Sequence, residues 1–189
     1  MIPDLLLALT LFSTILLAQA FPLELVVTQT RAGQMHRKSW VSNAIYIGGG
    51  LALTAAHCIA RVGWRTESIK AGKRGTATVE KSNGKVAVLR IDAEGSHGLL
   101  AARLPDFQRT KPIAGEWLIH KYYDHDAAKL KDRVVTWHGK YSKIREVFVM
   151  GMSGSGVYRE GGQLVGVAEL QDGTVWNVQD IRELMEDLE

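Results

Sequence analysis

The chain has 189 residues, 46% hydrophobic and 23% charged, enough apolar material to bury a core in one domain or two small fused ones. Its net charge of +3 and pI near 9.0 are mildly basic, and by themselves no nucleic-acid signature. The one cysteine, Cys58, excludes any intramolecular disulfide, so stability must come from packing.

The N-terminus reads "LLLALTLFSTILLAQA", apolar from Leu5 to Leu17 and closed by Ala18-Gln19-Ala20. An apolar core of that length before an A-x-A predicts a secretory signal peptide over residues 1–20, and so a secreted or periplasmic protein. No Lys or Arg precedes the core, and Asp4 stands where a positive charge is usual. An uncleaved membrane anchor is therefore the alternative, although a span needs about 20 residues. A buried helix at the extreme N-terminus is the weakest reading.

Residue 21 onward is mostly strand-like. "LELVVTQT", "NAIYIGG", "LALTA", "TATVE", "KVAVLRI", "EWLIH", "RVVTW", "EVFVM", "SGVYR", "QLVGVAEL" and "TVWNV" are short alternating or β-branched runs, punctuated by Gly, Asn, Asp or Ser. Many short strands without long helices predict an all-β sandwich or barrel. "LPDFQRTKP" carries two prolines and reads as a connector between two halves. Lys121, Lys129, Lys131, Arg133, Lys140, Lys143 and Arg145 lie among Tyr122, Tyr123, Trp137 and Tyr141. Basic and aromatic residues together can bind nucleic acid, but Asp124, Asp126, Asp132 and Glu146 dilute the charge and favour a solvated hairpin. At the end, Ile181, Leu184, Met185 and Leu188 recur at i, i+3, i+4, i+7, an amphipathic helix with Asn177 as its cap.

Two stretches carry chemistry. "LALTAAHCIA" is apolar with one ionisable imidazole, His57. Alone, this suggests a satisfied core histidine. The neighbouring Cys58 suggests a thiol catalyst, but adjacent residues point in different directions, so a small buried hydrophobe is the expected role. "VMGMSGSGVY" interleaves glycines and serines just before an apolar strand. Such a bend is either a flexible turn or a device that holds a serine hydroxyl outward while aiming backbone N–H groups at one point.

"LTAAHC" and "GMSGSGVY", in that order, resemble the His and Ser motifs of the trypsin/chymotrypsin-like serine proteases. "KVAVLRI" resembles the strand bearing the third catalytic residue, and "GGQLVGVAEL" the strand after the Ser that lines the substrate cleft. The resemblance spans roughly residues 22–188. It implies two six-stranded antiparallel β-barrels with the site between them, an N-terminal barrel over about 21–104, a linker over 105–112, and a C-terminal barrel with the α-helix over 113–189. It implies His57 as general base, Ser153 as nucleophile, and the N–H groups of Gly151 and Ser153 as oxyanion hole. Ser155 competes as nucleophile, but Ser153 matches the G-x-S-G. No cofactor or metal is implied. Val147, Phe148 and Gln171 fall at the substrate pocket, where the lack of an acid predicts cleavage after small or medium apolar residues.

The departures from the family pattern are specific. Ser42 stands where many members pair a cysteine with the equivalent of Cys58, and Met152 where zymogen-forming members carry an Asp, so no zymogen switch of that kind is expected. Lys85 occupies the place of the catalytic Asp. An ammonium about 5 Å from the imidazolium would cost roughly 3 kcal/mol at an effective dielectric near 20, so Lys85 is expected to point outward or be paired. Asp92 lies at the far end of that strand, and Asn83 and Glu80 reach His57 only through a bulged loop. Glu169, aligned where a Ser normally contacts the catalytic Asp, is the expected third member and a partner for Lys85; the alternative is a Ser–His dyad. Three functions follow: a secreted serine endopeptidase acting on protein or peptide, an inactive relative binding peptide in the same cleft, and a nucleic-acid-binding protein.

Overall fold

The computed structural model describes residues 22–31, 36–102, 104, 112–138, 143–169 and 172–186. The expected signal segment, Gln171, Leu188 and most of the linker lie outside them. Among the described residues no helix is long and apolar enough to cross a membrane.

The first half is a closed six-stranded barrel in the order β1-β2-β3-β6-β5-β4. It comprises β1 (Pro22–Arg31), β2 (Arg37–Gly48), β3 (Leu51–Ala55), β4 (Trp64–Ala71), β5 (Gly75–Ser82) and β6 (Val86–Ile91), with the one-turn helices α1 (Ala56–Ile59) and α2 (Ala93–Ser96). Pairing of β1 with β4, from Leu25↔Ala71 to Arg31↔Trp64, closes it and removes every edge. β4 is the strand the sequence pattern does not pick out, because only Ile69 and Ala71 of "WRTESIKA" are buried. Leu25, Ile45, Leu53 and Leu89 fill the interior without solvent exposure. Each such side chain contributes about 1.5–3 kcal/mol of apolar transfer.

The second half departs from the expected six-stranded barrel. Among the described residues it is an open five-stranded sheet, β11-β10-β9-β7-β8, built from β7 (Trp117–Asp124), β8 (Lys129–Thr136), β9 (Gly156–Tyr158), β10 (Leu164–Ala168) and β11 (Val175–Asn177). The expected strand "EVFVM" is a loop. Its neighbourhood contributes only the isolated bridges Trp137↔Ile144 and Lys143↔Thr174. Side chains take the place of the missing ladder: Thr136 N donates to Glu146 Oε2 at 2.8 Å, and Arg133 Nη2 donates to the Val147 carbonyl at 2.9 Å. These bonds satisfy the Thr136 N–H and the Val147 carbonyl, groups that a sixth strand would otherwise pair.

Helix α3 (Val178–Met185) closes the chain with the expected Asn177 cap, a reciprocal capping box with Asp180. Its Ile181 and Leu184 pack into the core cluster of the first barrel, so the last helix ties the two halves together.

Candidate active site

His57 sits on α1, directly after β3, and Ser153 and Glu169 arrive from the loop before β9 and the end of β10. They meet in one cleft of about 690 Å³, whose walls include Trp40, Arg61 and Gly151. His57 Nδ1 lies 3.4 Å from Glu169 Oε1, within ion-pair reach though not aligned as a hydrogen bond. Glu169 is only 8% exposed, and its Oε2 has no hydrogen-bond partner among the described residues. A buried carboxylate in that state costs free energy unless a cation faces it.

The other side of the imidazole is also occupied. Cys58 is buried as expected, but its Sγ lies 3.7 Å from His57 Nε2. Neighbours on a one-turn helix diverge at Cβ by about 100°, yet the imidazole is long enough to fold back onto the sulfur. The Cys58 sulfur first and the Glu169 carboxylate second push the His57 pKa up to about 9, against the opposing effect of burial. Ser153 Oγ does not bond the imidazole; it donates to the Glu169 backbone carbonyl at 2.5 Å.

The loop around Ser153 is held by residues the sequence reading missed. Asn43, fully buried on β2, donates from Nδ2 to the Gly151 carbonyl at 2.7 Å and accepts from Tyr123 N on β7 at 2.7 Å. Its own backbone N–H donates to the Ser153 carbonyl at 2.8 Å, and its carbonyl accepts from Thr54 Oγ1 at 2.7 Å. Gly154 slots into this frame at φ +83°, where a Cβ would meet the Asn43 oxygen at 1.9 Å. No larger residue fits. Gly151 has φ +90°, and a Cβ there would meet His125 Cδ2 at 3.1 Å. The N–H of Met152 is spent on the Val149 carbonyl, while those of Gly151 and Ser153 have no acceptor among the described residues.

Ser155 is fully buried and points away from the cleft. Its hydroxyl donates to the Met152 carbonyl at 2.5 Å and accepts from His120 Nε2 at 2.6 Å. Arg133 Nε donates to His120 Nδ1 at 3.2 Å, which leaves the His120 proton on Nε2. Burial first, and the Arg133 charge second, depress the His120 pKa to about 3. One signal for these residues was present: Asn43 and His120 each directly adjoin an apolar run, residues 44–47 and residues 118–119.

The remaining candidates have other partners. Lys85 turns from the cleft and pairs with Asp180 at 2.7 Å, not with Glu169 as expected, because α3 packs beside the start of β6. Asn83 caps the turn before β6, accepting from Lys85 N and Val86 N at 3.0 and 2.9 Å. Glu80 forks with Arg90, and Asp92 caps α2 through Gly95 N. Phe148 is 3% exposed and packs edge-on against His120 in the core, so its ring does not line the cleft; Val147 is exposed beside it. Within the basic segment, Lys131 pairs with Asp124, Lys143 with Asp172, and Arg133 with His120. Among the described residues no group of three or more His, Cys, Asp or Glu has the arrangement of a metal site.

No protein-family model and no curated protein sequence matches the chain. Solved structures do. The Rv3671c protease from M. tuberculosis in its active form superposes with a TM-score of 0.70 at 14% identity, covering 95% of this chain and 85% of that one. Its inactive form gives a TM-score of 0.63 at 15% identity, covering 86% and 87%. At this identity the likeness establishes the fold: the chain is built as the Rv3671c protease is.

Proposed function

We propose that the chain is a serine endopeptidase, with Ser153 as nucleophile, His57 as general base and Glu169 as the carboxylate that orients and stabilises the imidazolium. The observation that carries this reading is the meeting of His57, Ser153 and Glu169 in one cleft, with the 3.4 Å contact between Nδ1 and Oε1. Catalysis starts when Ser153 Oγ leaves the Glu169 carbonyl and turns to His57 Nε2. The imidazole takes the hydroxyl proton as Oγ attacks the peptide carbonyl, and the free N–H groups of Gly151 and Ser153 receive the oxyanion. His57 then gives the proton to the leaving amine, and water resolves the acyl-enzyme by the same steps in reverse. Val149 and Met150, exposed on the cleft wall, support the expected preference for a small or medium apolar residue before the cut, although Val147, expected at the pocket, is not among the lining residues. Export through residues 1–20 belongs to the same proposal.

A specific observation favours a second reading, a silent peptide-binding relative: Ser153 Oγ and His57 Nε2 each face a partner other than one another. A fluorophosphonate probe separates the two. Endopeptidase function predicts stoichiometric labelling of Ser153, abolished in Ser153→Ala and kept in Ser155→Ala. Protein that stays unlabelled across pH 6–10 would exclude it.

A further inference from the structure

We propose that Arg61, held over the Trp40 ring, recognises an acidic side chain on the leaving-group side of the cut, so that preferred sites are followed by Asp or Glu. This rests on the endopeptidase reading. The Arg61 guanidinium carbon lies 3.7 Å from the Trp40 ring centroid, and Lys38 Nζ lies 5.9 Å from the same centroid. Trp64 meets Trp40 edge-on at 6.3 Å and buttresses it. Trp40 and Arg61 share the cleft wall with His57 and Ser153.

Arg61 is the one Lys or Arg among the residues lining the cleft, and it lacks a counter-ion among the described residues. Arg37, Arg90, Lys85 and Lys143 each have a carboxylate partner, but Arg61 has neither a carboxylate nor a hydrogen-bond acceptor among the described residues. The two acids on the cleft wall are already committed. Glu169 faces His57, and Asp172 is held by Lys143 and the Thr174 hydroxyl. Stacking on an indole immobilises a guanidinium before binding, so little side-chain entropy remains to be lost, while its N–H donors stay available for a carboxylate.

The side of the cut follows from the chemistry. The leaving amine takes its proton from His57, so the departing chain passes the wall formed by α1. Arg61 stands four residues beyond His57 on that wall.

The test uses peptide pairs cut at one bond and differing by Glu or Gln within about three residues after it. The wild type should prefer Glu about tenfold in kcat/KM at low salt, an advantage that shrinks as salt screens the pair. Arg61→Gln should erase the ratio, Arg61→Glu should invert it, and Arg61→Lys should keep part of it, which also guards against a variant that fails to fold. A ratio unchanged in Arg61→Gln, or absent in the wild type, overturns the proposal. If neither hydrolysis nor fluorophosphonate labelling occurs, the endopeptidase reading fails on its own. Binding of the same peptides by Ser153→Ala then decides recognition: preference for Glu that depends on Arg61 upholds it, and equal binding refutes it.

Discussion

At the residue scale the decisive group for the proposed mechanism is His57, with its pKa raised to about 9 by Cys58 and Glu169. A general base must be unprotonated, and at pH 7 about 1% of such imidazoles are. We therefore expect kcat/KM, or the rate of fluorophosphonate labelling, to climb with pH through the neutral range and level off above about 9. Glu169→Gln should lower that limb and cut kcat by about 10³ to 10⁴. Cys58→Ala should lower the limb at least as far, since the sulfur is the larger cause. A few-fold loss of kcat in Glu169→Gln, with the limb unmoved, would remove Glu169 from the mechanism. The same proton acts oppositely on stability. A raised folded pKa stabilises below the unfolded value near 6.5, and that contribution is lost as pH rises from there to about 9.

At the scale of elements, Asn43 does what no motif announced. One side chain on β2 joins the loop of Ser153 to the edge of β7, while its backbone holds Ser153 and Thr54. Asn43→Ala leaves the Gly151 carbonyl and the Tyr123 N–H without partners, each costing about 1–3 kcal/mol when buried. The expected outcome is a loss of about 3 kcal/mol in urea unfolding, together with slower probe labelling, because the Gly151 peptide loses its anchor. A variant within about 1 kcal/mol of wild type would show that the frame is redundant.

At the scale of the whole molecule, a closed barrel and an open sheet are locked together by α3 and by buried polar groups. Of the buried polar groups, His120, whose partners Ser155 and Arg133 lie with it in the second half, matters most for acid stability. Its folded pKa is depressed to about 3. The unfolded chain takes up this proton below about 6.5, while the folded chain excludes it until about 3. Stability should fall through that window as pH drops. Urea midpoints measured from pH 7 to 4 should fall less steeply in His120→Gln, by the uptake of about one proton. Equal slopes would mean that His120 is protonated in the fold.

The sequence by itself determined the all-β class, most of the strands, the capped C-terminal helix and the candidates His57 and Ser153. Those features are local: period-two hydrophobicity, a cap three residues from its partner, and contiguous motifs around each reactive side chain. The family resemblance added Glu169 as a candidate partner of His57 and required Lys85 to be turned away or paired. Tertiary structure alone decided that Lys85's partner is Asp180, 95 residues away in sequence. It decided that the second sheet stays open, because Glu146 and Arg133 satisfy backbone groups that a sixth strand would have paired. It set Cys58 against His57, and it brought Asn43 to Gly151 across 108 positions. Each of these depends on which side chains a closed barrel and a packed helix bring within 4 Å, a quantity that no local pattern encodes.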